Sequence, residues 1–284
     1  MEIKTVVNPN NPLAKHFRQP AIYLKLPSQG KFYPEGGIEL SITGELPIYP
    51  MTVKDELTLK TPDALMNGEG MAEVIRSCCP SIHDPWSIPN IDLDVIFIAI
   101  RLASYGKAMD ISATCPHCGE SNEYTIDLNV LLENTSPADY NDSLSVDGLV
   151  IKFKPQSYRD LNKINLASFE QRKLIANITD AEIPDEEKKR LFDESFKKIA
   201  DLNVDVIIDS IESIFVDKNL VTDRAMIKEF LDNCSRQTYQ AIRDKIQTLA
   251  NKNAAPPADL TCANDACGKP YQSPLIFDQA NFFE

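Results

Sequence analysis

The sequence predicts an α+β protein, in which a zinc-ribbon-like β-hairpin domain with buried helices is interrupted by an all-α helical insertion. Two observations predict this architecture. Two close pairs of cysteines, Cys115 with Cys118 and Cys262 with Cys267, lie beside short segments in which apolar and polar residues alternate. The long stretch between these pairs instead places its apolar residues at the spacing of amphipathic helices.

These patterns divide the chain into three expected parts. They are an extended N-terminal arm at residues 1–20, a discontinuous α+β zinc-ribbon domain at 21–154 and 252–284, and a helical domain at 155–251. The arm is rich in Asn and Pro and has no periodicity, which is typical of a segment without regular structure.

Composition and charge limit the possible functions. Of 284 residues, 43% are hydrophobic and 25% are charged, as in an ordinary globular protein with ample core. The net charge of −13 disfavours binding to nucleic acid, because phosphate binding needs a basic face. The longest aliphatic or aromatic run, residues 95–100, is far too short to span a membrane, and the N-terminus lacks the apolar segment of a secretory signal.

The N-terminal half contains short strands followed by helices. Residues 21–50 alternate apolar runs with Pro and Gly, which predicts short strands. Thr61-Pro62-Asp63 carries the signals of a helix start, and residues 69–79 predict a helix that stops at Pro80. Residues 92–105 are apolar almost all round, so we expect a helix at the centre of the N-terminal core that ends at Gly106.

Two hairpins follow this helix. Residues 109–114 and 123–128 alternate with a period of two on either side of the sequence CPHCG at 115–119. This pattern predicts a hairpin whose turn carries two metal ligands. Residues 144–153 predict a second hairpin around the turn pair Asp147-Gly148.

The predicted helical domain has four or five helices and no strand. Pro184 and the acidic residues after it mark one helix start. The apolar residues that share helical faces are Val204, Ile207, Ile208, Ile211, Ile214 and Phe215, then Met226, Ile227, Phe230, Leu231 and Cys234, then Ile242, Ile246 and Leu249. Residues 251–259 are rich in Asn, Ala and Pro and predict a linker to the second cysteine pair.

The four paired cysteines, Cys115, Cys118, Cys262 and Cys267, predict one structural Zn²⁺ per chain. A structural zinc ion takes four tetrahedral ligands, and two cysteines on a tight turn supply half of them. A glycine follows the second cysteine of each pair, where it permits the backbone of such a turn. The two pairs lie far apart in sequence, so one shared zinc requires the C-terminal segment to return to the first hairpin.

Other interpretations of the cysteines stay open. Four unrelated reduced thiols are the simplest interpretation, and Cys78, Cys79 and Cys234 are alternative candidates for a ligand position. A Cys-Pro-His-Cys sequence also occurs in thiol–disulfide oxidoreductases, but there it begins a helix, whereas a strand pattern follows Cys118. A nucleic-acid-binding zinc ribbon is disfavoured by the acidic residues that surround the first pair.

No catalytic constellation is visible. The three histidines, His16, His83 and His117, are far apart, and the chain lacks the His-Glu-x-x-His sequence of zinc hydrolases. It also lacks a P-loop, a dinucleotide-binding glycine pattern and a nucleophile elbow. We therefore expect no enzymatic activity.

Several stretches together resemble a known family. They are LPSQGKFY at 26–33, GELPIYPMTVKDELTLKTPDALMNG at 44–68, DLDVIFIAIRLASYG at 92–106, the CPHCG turn with IDL at 126–128, and the terminal FF at 282–283. They resemble the baseplate hub proteins of T-even-type contractile-tailed bacteriophages. The resemblance covers roughly residues 20 to 130 and the C-terminal tail.

The resemblance implies a late viral protein without enzymatic activity. It implies a structural component or assembly chaperone of the tail baseplate hub, which binds hub subunits or the tape-measure protein. It also implies a location in the host cytoplasm during assembly and in the virion as a hub component. A homo-oligomer is compatible with this role, and neither nucleic acid nor a membrane span is expected.

Overall fold

The protein combines helices with small antiparallel sheets. The computed structural model describes residues 11–61, 68–180, 184–254, 257–273 and 282–283. The helices of this part of the chain are α1 (Val53–Leu59), α2 (Glu69–Cys78), α3 (Asn90–Tyr105), α4 (Leu128–Glu133), α5 (Tyr158–Asp180), α6 (Asp185–Ser210), α7 (Arg224–Asn233) and α8 (Arg236–Lys252). Two short 3-10 helices occupy Ala14–His16 and Pro85–Ser87. The predicted helix start at Thr61-Pro62-Asp63 runs into residues outside the described ones.

Ten strands form four separate antiparallel sheets in the described residues. The strands are β1 (Ile22–Leu24), β2 (Leu46–Ile48), β3 (Ala108–Thr114), β4 (Ser121–Asp127), β5 (Leu144–Val146), β6 (Leu149–Phe153), β7 (Ile211–Val216), β8 (Asn219–Val221), β9 (Ala258–Thr261) and β10 (Pro270–Ser273). The pairs β1–β2, β3–β4 and β9–β10 are two-stranded, and β5 to β8 form one four-stranded sheet in sequence order. A mixed architecture of helices and antiparallel sheets is thereby confirmed.

The first hydrophobic core surrounds α3, as the sequence predicts. Residues Leu93 to Ile100 of this helix are buried except for Asp94, and the helix ends where Gly106 donates its amide proton to the carbonyl of Leu102. The helix α2 and the strands β1 and β2 pack in the same core, and Tyr158, at the start of α5, is buried with them. The first turn of α5 is therefore attached to the N-terminal core.

The predicted arm is attached to this core within its described part, residues 11–20. The Arg18 guanidinium donates hydrogen bonds to the carbonyl of Pro50 and, over 2.8 Å each, to the carbonyl and hydroxyl oxygens of Ser77. It also lies 3.6 Å from the Asp55 carboxylate. These contacts attach the arm to the N-terminus of α1 and to the C-terminus of α2.

The second core overturns the prediction that residues 155–251 contain only helices. The helix α6 ends at Ser210, and Ile211 begins β7, which pairs with β6 so that Ile151 lies opposite Ile214. The β7–β8 hairpin completes the four-stranded sheet. The spacing of the isoleucines fits a helix and a buried strand equally well, and pairing with β6 decides between them.

This sheet and three helices share the second core. Ile151 and Phe153 of β6 pack with residues of α6, α7 and α8, including Ile207, Ile227 and Ile242. The predicted hairpin 144–153 is confirmed, but the side chains on its inner face pack against residues of the expected helical domain. The division into two domains at residues 154 and 252 stays a prediction.

The C-terminal part differs from the predicted linker. The helix α8 continues to Lys252 and β9 begins at Ala258, so the connection is shorter than residues 251–259. At the other end, Phe282 and Phe283 are buried in the first core, where Phe283 packs edge-to-face on Phe97 with ring centroids 6.4 Å apart. The Phe282 carbonyl accepts a hydrogen bond from Arg101 of α3.

Candidate metal centre

Two hairpins bring the four predicted cysteines together. Cys115 directly follows β3, and its turn closes when its amide donates to the Glu120 carbonyl over 2.9 Å. Cys262 directly follows β9, and its amide donates to the Lys269 carbonyl over 3.0 Å. Each turn therefore sits between two paired strands, and the two turns face each other.

The glycine after Cys118 serves the backbone of the first turn. Gly119 has a φ of 77°, a left-handed conformation that residues with a side chain rarely adopt. Its amide donates to the Cys115 carbonyl over 2.9 Å, which curls the chain back on itself. This curl is what lets both sulfur atoms of the pair point to the same side.

The four sulfur atoms form a compact cluster. All four Sγ atoms lie within 4.8 Å of one another, with 4.0 Å between Cys115 and Cys267 and 3.6 Å between Cys118 and Cys262. Zinc–sulfur bonds of about 2.3 Å in a tetrahedral site place the sulfurs about 3.8 Å apart. The cluster has the dimensions of a Cys₄ zinc site, and its sulfurs are too far apart for disulfide bonds.

Backbone amides prepare the first turn to hold a thiolate. Burial raises the pKa of the Cys115 thiol, but hydrogen bonds from the backbone amides of His117 and Cys118 and from neighbouring thiols outweigh it, so that the pKa falls to about 7. Such amide–sulfur bonds favour the deprotonated form that a metal ion requires.

The thiols of Cys118 and Cys262 favour the protonated form in the absence of a cation. A backbone hydrogen bond from Glu120 favours the Cys118 thiolate, yet burial and the three neighbouring cysteines raise its pKa to about 12. The backbone bond from Asn264 and the bond with Cys118 lower the pKa of Cys262, but its burial and its bonds to Cys115 and Cys267 outweigh them, so the pKa is raised. One negative charge disfavours a second one nearby, and a divalent cation removes this penalty.

A small apolar cluster supports the sulfurs. Ala113, Ala258, Leu260 and Tyr271 are buried around Cys115 and Cys262. The Tyr124 hydroxyl joins the two hairpins, since it donates to the Thr261 carbonyl over 2.9 Å and lies 3.1 Å from the Tyr271 hydroxyl. With so few apolar side chains in this cluster, a bound metal would supply much of the cohesion between the hairpins.

Two asparagines in the site were not predicted. The Asn264 side chain accepts the Ala266 amide over 2.8 Å, and its carbonyl accepts the amides of Cys267 and Gly268, so it shapes the second turn. The Asn122 side-chain amide lies 3.8 Å from the Cys262 sulfur. The only sequence signal for Asn264 is its position between two cysteines, where Asn favours a turn.

The other cysteines lie elsewhere. Within the described residues, the four paired cysteines are the only group of three or more Cys, His, Asp or Glu side chains arranged to hold a metal. Cys78 and Cys79 are buried in the first core, where burial raises the pKa of both thiols. Cys234 packs against the second core. His117 is exposed, with its Nε2 atom 3.4 Å from the Pro270 carbonyl.

The surroundings of the cluster can be compared with those of a thiol–disulfide oxidoreductase and of a nucleic-acid-binding zinc ribbon, the two alternative functions. The Cys115–Cys118 turn joins strands β3 and β4, whereas a redox pair of the thioredoxin type begins a helix. The hairpin also exposes Asp110, Glu120 and Glu123, and this acidic surface repels a phosphate backbone. The arrangement is suited to holding a cation within a closed shell of sulfur.

Comparison with known proteins gives one family. No curated protein and no solved structure matches the chain. No helix in the described ranges combines the length and the apolar character needed to cross a membrane. The family model described as T4 bacteriophage base plate protein matches residues 20–284, which is nearly the whole chain. The chain therefore belongs to the family of T4-type bacteriophage baseplate proteins.

Proposed function

We propose that this baseplate protein works in the central hub of the phage tail, without enzymatic activity. It acts in the host cytoplasm during tail assembly, either as a hub subunit that enters the virion or as a transient assembly factor. Its partners are hub subunits or the tape-measure protein. The family match over residues 20–284 carries this proposal, and the early resemblance to hub proteins adds the specific location.

We further propose that Cys115, Cys118, Cys262 and Cys267 hold one structural zinc ion and that the two hairpins form a zinc ribbon. The sulfur–sulfur distances of 3.6 and 4.0 Å support a tetrahedral shell. All four positions would be taken by protein, which leaves none for water or substrate. Such a zinc ion would stabilise the fold and would not catalyse a reaction.

Exposed apolar side chains give hub partners a place to bind. Val53 and Leu57 are four residues apart on α1, so they share one face of the helix, and both side chains are exposed. Tyr105, at the end of α3, is also half-exposed, and its side chain is hydrogen-bonded to that of Glu56 of α1. An apolar surface of this kind is a typical mark of protein–protein contact.

Elemental mass spectrometry tests the zinc site. We expect about one zinc per chain in the wild type and none in Cys115→Ser or Cys267→Ser, because each variant removes a ligand from a different hairpin. The matched control is Cys234→Ser, which changes a cysteine outside the cluster and keeps the zinc. A wild type purified without zinc, and unable to take it up, contradicts the zinc proposal while leaving the hub role standing.

Assembly from purified hub subunits tests the function itself. We expect hub formation to depend on this protein and to decline when Val53→Glu and Leu57→Glu are combined. The zinc content of that double variant should remain unchanged. Hub formation that is equally fast and complete without the protein would refute the hub role.

A further inference from the structure

The helical hairpin α5–α6 carries an interface for a second copy of this chain, we propose. The two helices have 23 and 26 residues, which at 1.5 Å per residue gives lengths of about 35 and 39 Å. Most of the described apolar side chains along the hairpin, from Leu161 to Leu202, are only half-buried. Two helices alone leave the line of apolar residues along which they pack, the seam, only partly covered. The half-buried apolar side chains therefore indicate that further helices pack over this seam.

The spacing of the seam is that of a coiled coil. Positions three and four residues apart alternate along each helix. Counting back from the helix ends at Asp180 and Asp185 puts Gln171 of α5 near the level of Ser195 of α6. The seam positions are Leu161, Ile164, Ser168, Gln171 and Ile175 on α5, and Lys188, Phe192, Ser195, Ile199, Leu202 and Val206 on α6. The hairpin therefore has the geometry of half a four-helix bundle.

The layer of Gln171 and Ser195 is polar and unsatisfied. Gln171 is 7% exposed and Ser195 is 0% exposed, and no other seam residue that the structure describes is buried. Neither Gln171 Oε1 nor Ser195 Oγ has a hydrogen-bond partner within the part of the chain that the structure describes. A buried polar atom without a partner destabilises the fold. Both atoms are closed off within a single copy, so a second copy does not bond to them directly and stabilises this level of the hairpin only by packing against its outer face.

One face of the hairpin lies open at this same level. Phe169 is 43% exposed and Phe196 is 60% exposed, and the seam spacing places both on the same side of the hairpin. Arg172 of α5 and Asp193 of α6 lie one turn further along that side and are exposed. Each helix thus presents one phenylalanine and one charge, and the two charges are opposite.

This face is self-complementary. A two-fold axis parallel to the hairpin places α5 of one copy over α6 of the other at equal height. Phe169 then meets the Phe196 of the other copy, and Arg172 meets its Asp193. The Gln171–Ser195 layers of the two copies come to the same level. Phenylalanine contact and charge pairing therefore select the same arrangement.

Toward the base of the hairpin, another helix already occupies this face. Ala200, Asn203 and Ile207 of α6 line a cavity of about 620 Å³ together with Tyr239 and Ile246 of α8. Phe196 is one turn beyond Ala200 and does not line this cavity. The second copy continues at the tip the helix packing that α8 provides at the base.

Sedimentation of the full chain over a range of concentrations tests the proposal. We expect the wild type to change from one-chain to two-chain mass as concentration rises. Phe196→Glu should weaken dimerisation by at least about tenfold, since it places a charge in the apolar centre. The matched control is Met226→Glu at a side chain of 61% exposure on α7, which should dimerise like the wild type.

Charge reversal identifies the arrangement. Arg172→Asp alone and Asp193→Arg alone should each weaken self-association, because like charges then face each other across the two-fold axis. An equal mixture of these two variants should form heterodimers, in which both charge pairs are attractive. A wild type of one-chain mass at every concentration, or single variants that dimerise as the wild type does, would overturn the proposal. A one-chain wild type that binds a different helical protein through Phe196 would also overturn the assignment to a second copy.

Discussion

At the scale of single residues, Asp92 stands out as a fully buried carboxylate in the first core. It accepts hydrogen bonds from the Ser28 amide over 2.8 Å, the Ser28 hydroxyl over 2.5 Å and the Tyr33 hydroxyl over 2.9 Å. It therefore attaches the loop after β1 to the first turn of α3. Burial raises the pKa of Asp92 from 3.8 to about 6, because desolvation outweighs these three bonds.

This raised pKa makes a contribution to stability that depends on pH. Protonated Asp92 favours the folded state, so the contribution is complete below about pH 4 and is lost as pH rises through about 6. We expect Asp92→Asn to gain stability relative to the wild type between pH 4 and pH 7, by up to about 3 kcal/mol. Urea unfolding at several pH values measures the difference, with Asp201→Asn at an exposed site as the control. A difference between variant and wild type that is constant with pH would contradict the assignment.

At the scale of elements, the junction of α6 and β7 shows where sequence periodicity is insufficient. Ile207, Ile208, Ile211 and Ile214 satisfy the helical spacing, and so the strand was not predicted. Asp217 and Lys218, which turn β7 into β8, both have positive φ; Asp is common at the first position of such a turn, but Lys is not typical of the second. Only the distant partner strand β6 distinguishes strand from helix here. By contrast, α3 and the β3–β4 hairpin were predicted because each carries its own local signals.

The start of α2 gives a test of how tightly the first turn of α5 packs on the N-terminal core. Gly68 has a φ of 77°, and a Cβ atom there would lie 2.5 Å from Asn162 Oδ1 and 3.0 Å from the Tyr158 hydroxyl. We expect Gly68→Ala to reduce the free energy of unfolding by about 2–4 kcal/mol, through backbone strain and this collision.

The control for that substitution is Gly44→Ala. Gly44 has nearly the same φ, 76°, but nothing lies within 4 Å of an added Cβ. Gly44→Ala should lower the free energy of unfolding only by the backbone strain, about 1–2 kcal/mol. Both variants are compared by urea unfolding, and equal losses at the two positions would mean that α5 does not pack closely at Gly68.

At the scale of the whole molecule, the described residues form three hydrophobic cores, and the chain that connects them returns to its own first half. Cys118 and Cys262 are 144 positions apart, and the cluster joins them. The sequence predicted the four ligands because cysteines at metal-binding spacing with a following glycine are a local signal. It did not reveal β9 or the roles of Asn122 and Tyr124, because these depend on the two hairpins facing each other.

Metal removal tests this closure. If zinc joins the hairpins, a chelator should lower the thermal midpoint by at least about 5 °C, because a long loop is released. Hydrogen exchange should rise at the amides of β9 and change little in α3, which belongs to another core. Cys115→Ser should not respond to the chelator. Equal exchange in β9 before and after chelation would contradict a metal-dependent closure.

The distance between the two cysteine pairs also matters while the protein is being made. Ribosomes add about 5–20 residues per second, so roughly 7 to 30 s pass between synthesis of Cys118 and synthesis of Cys262. During this interval the first hairpin exists with only half of its sulfur shell. A chain that stops before Cys267 never completes the shell. The cluster can therefore form only in chains that extend past Cys267.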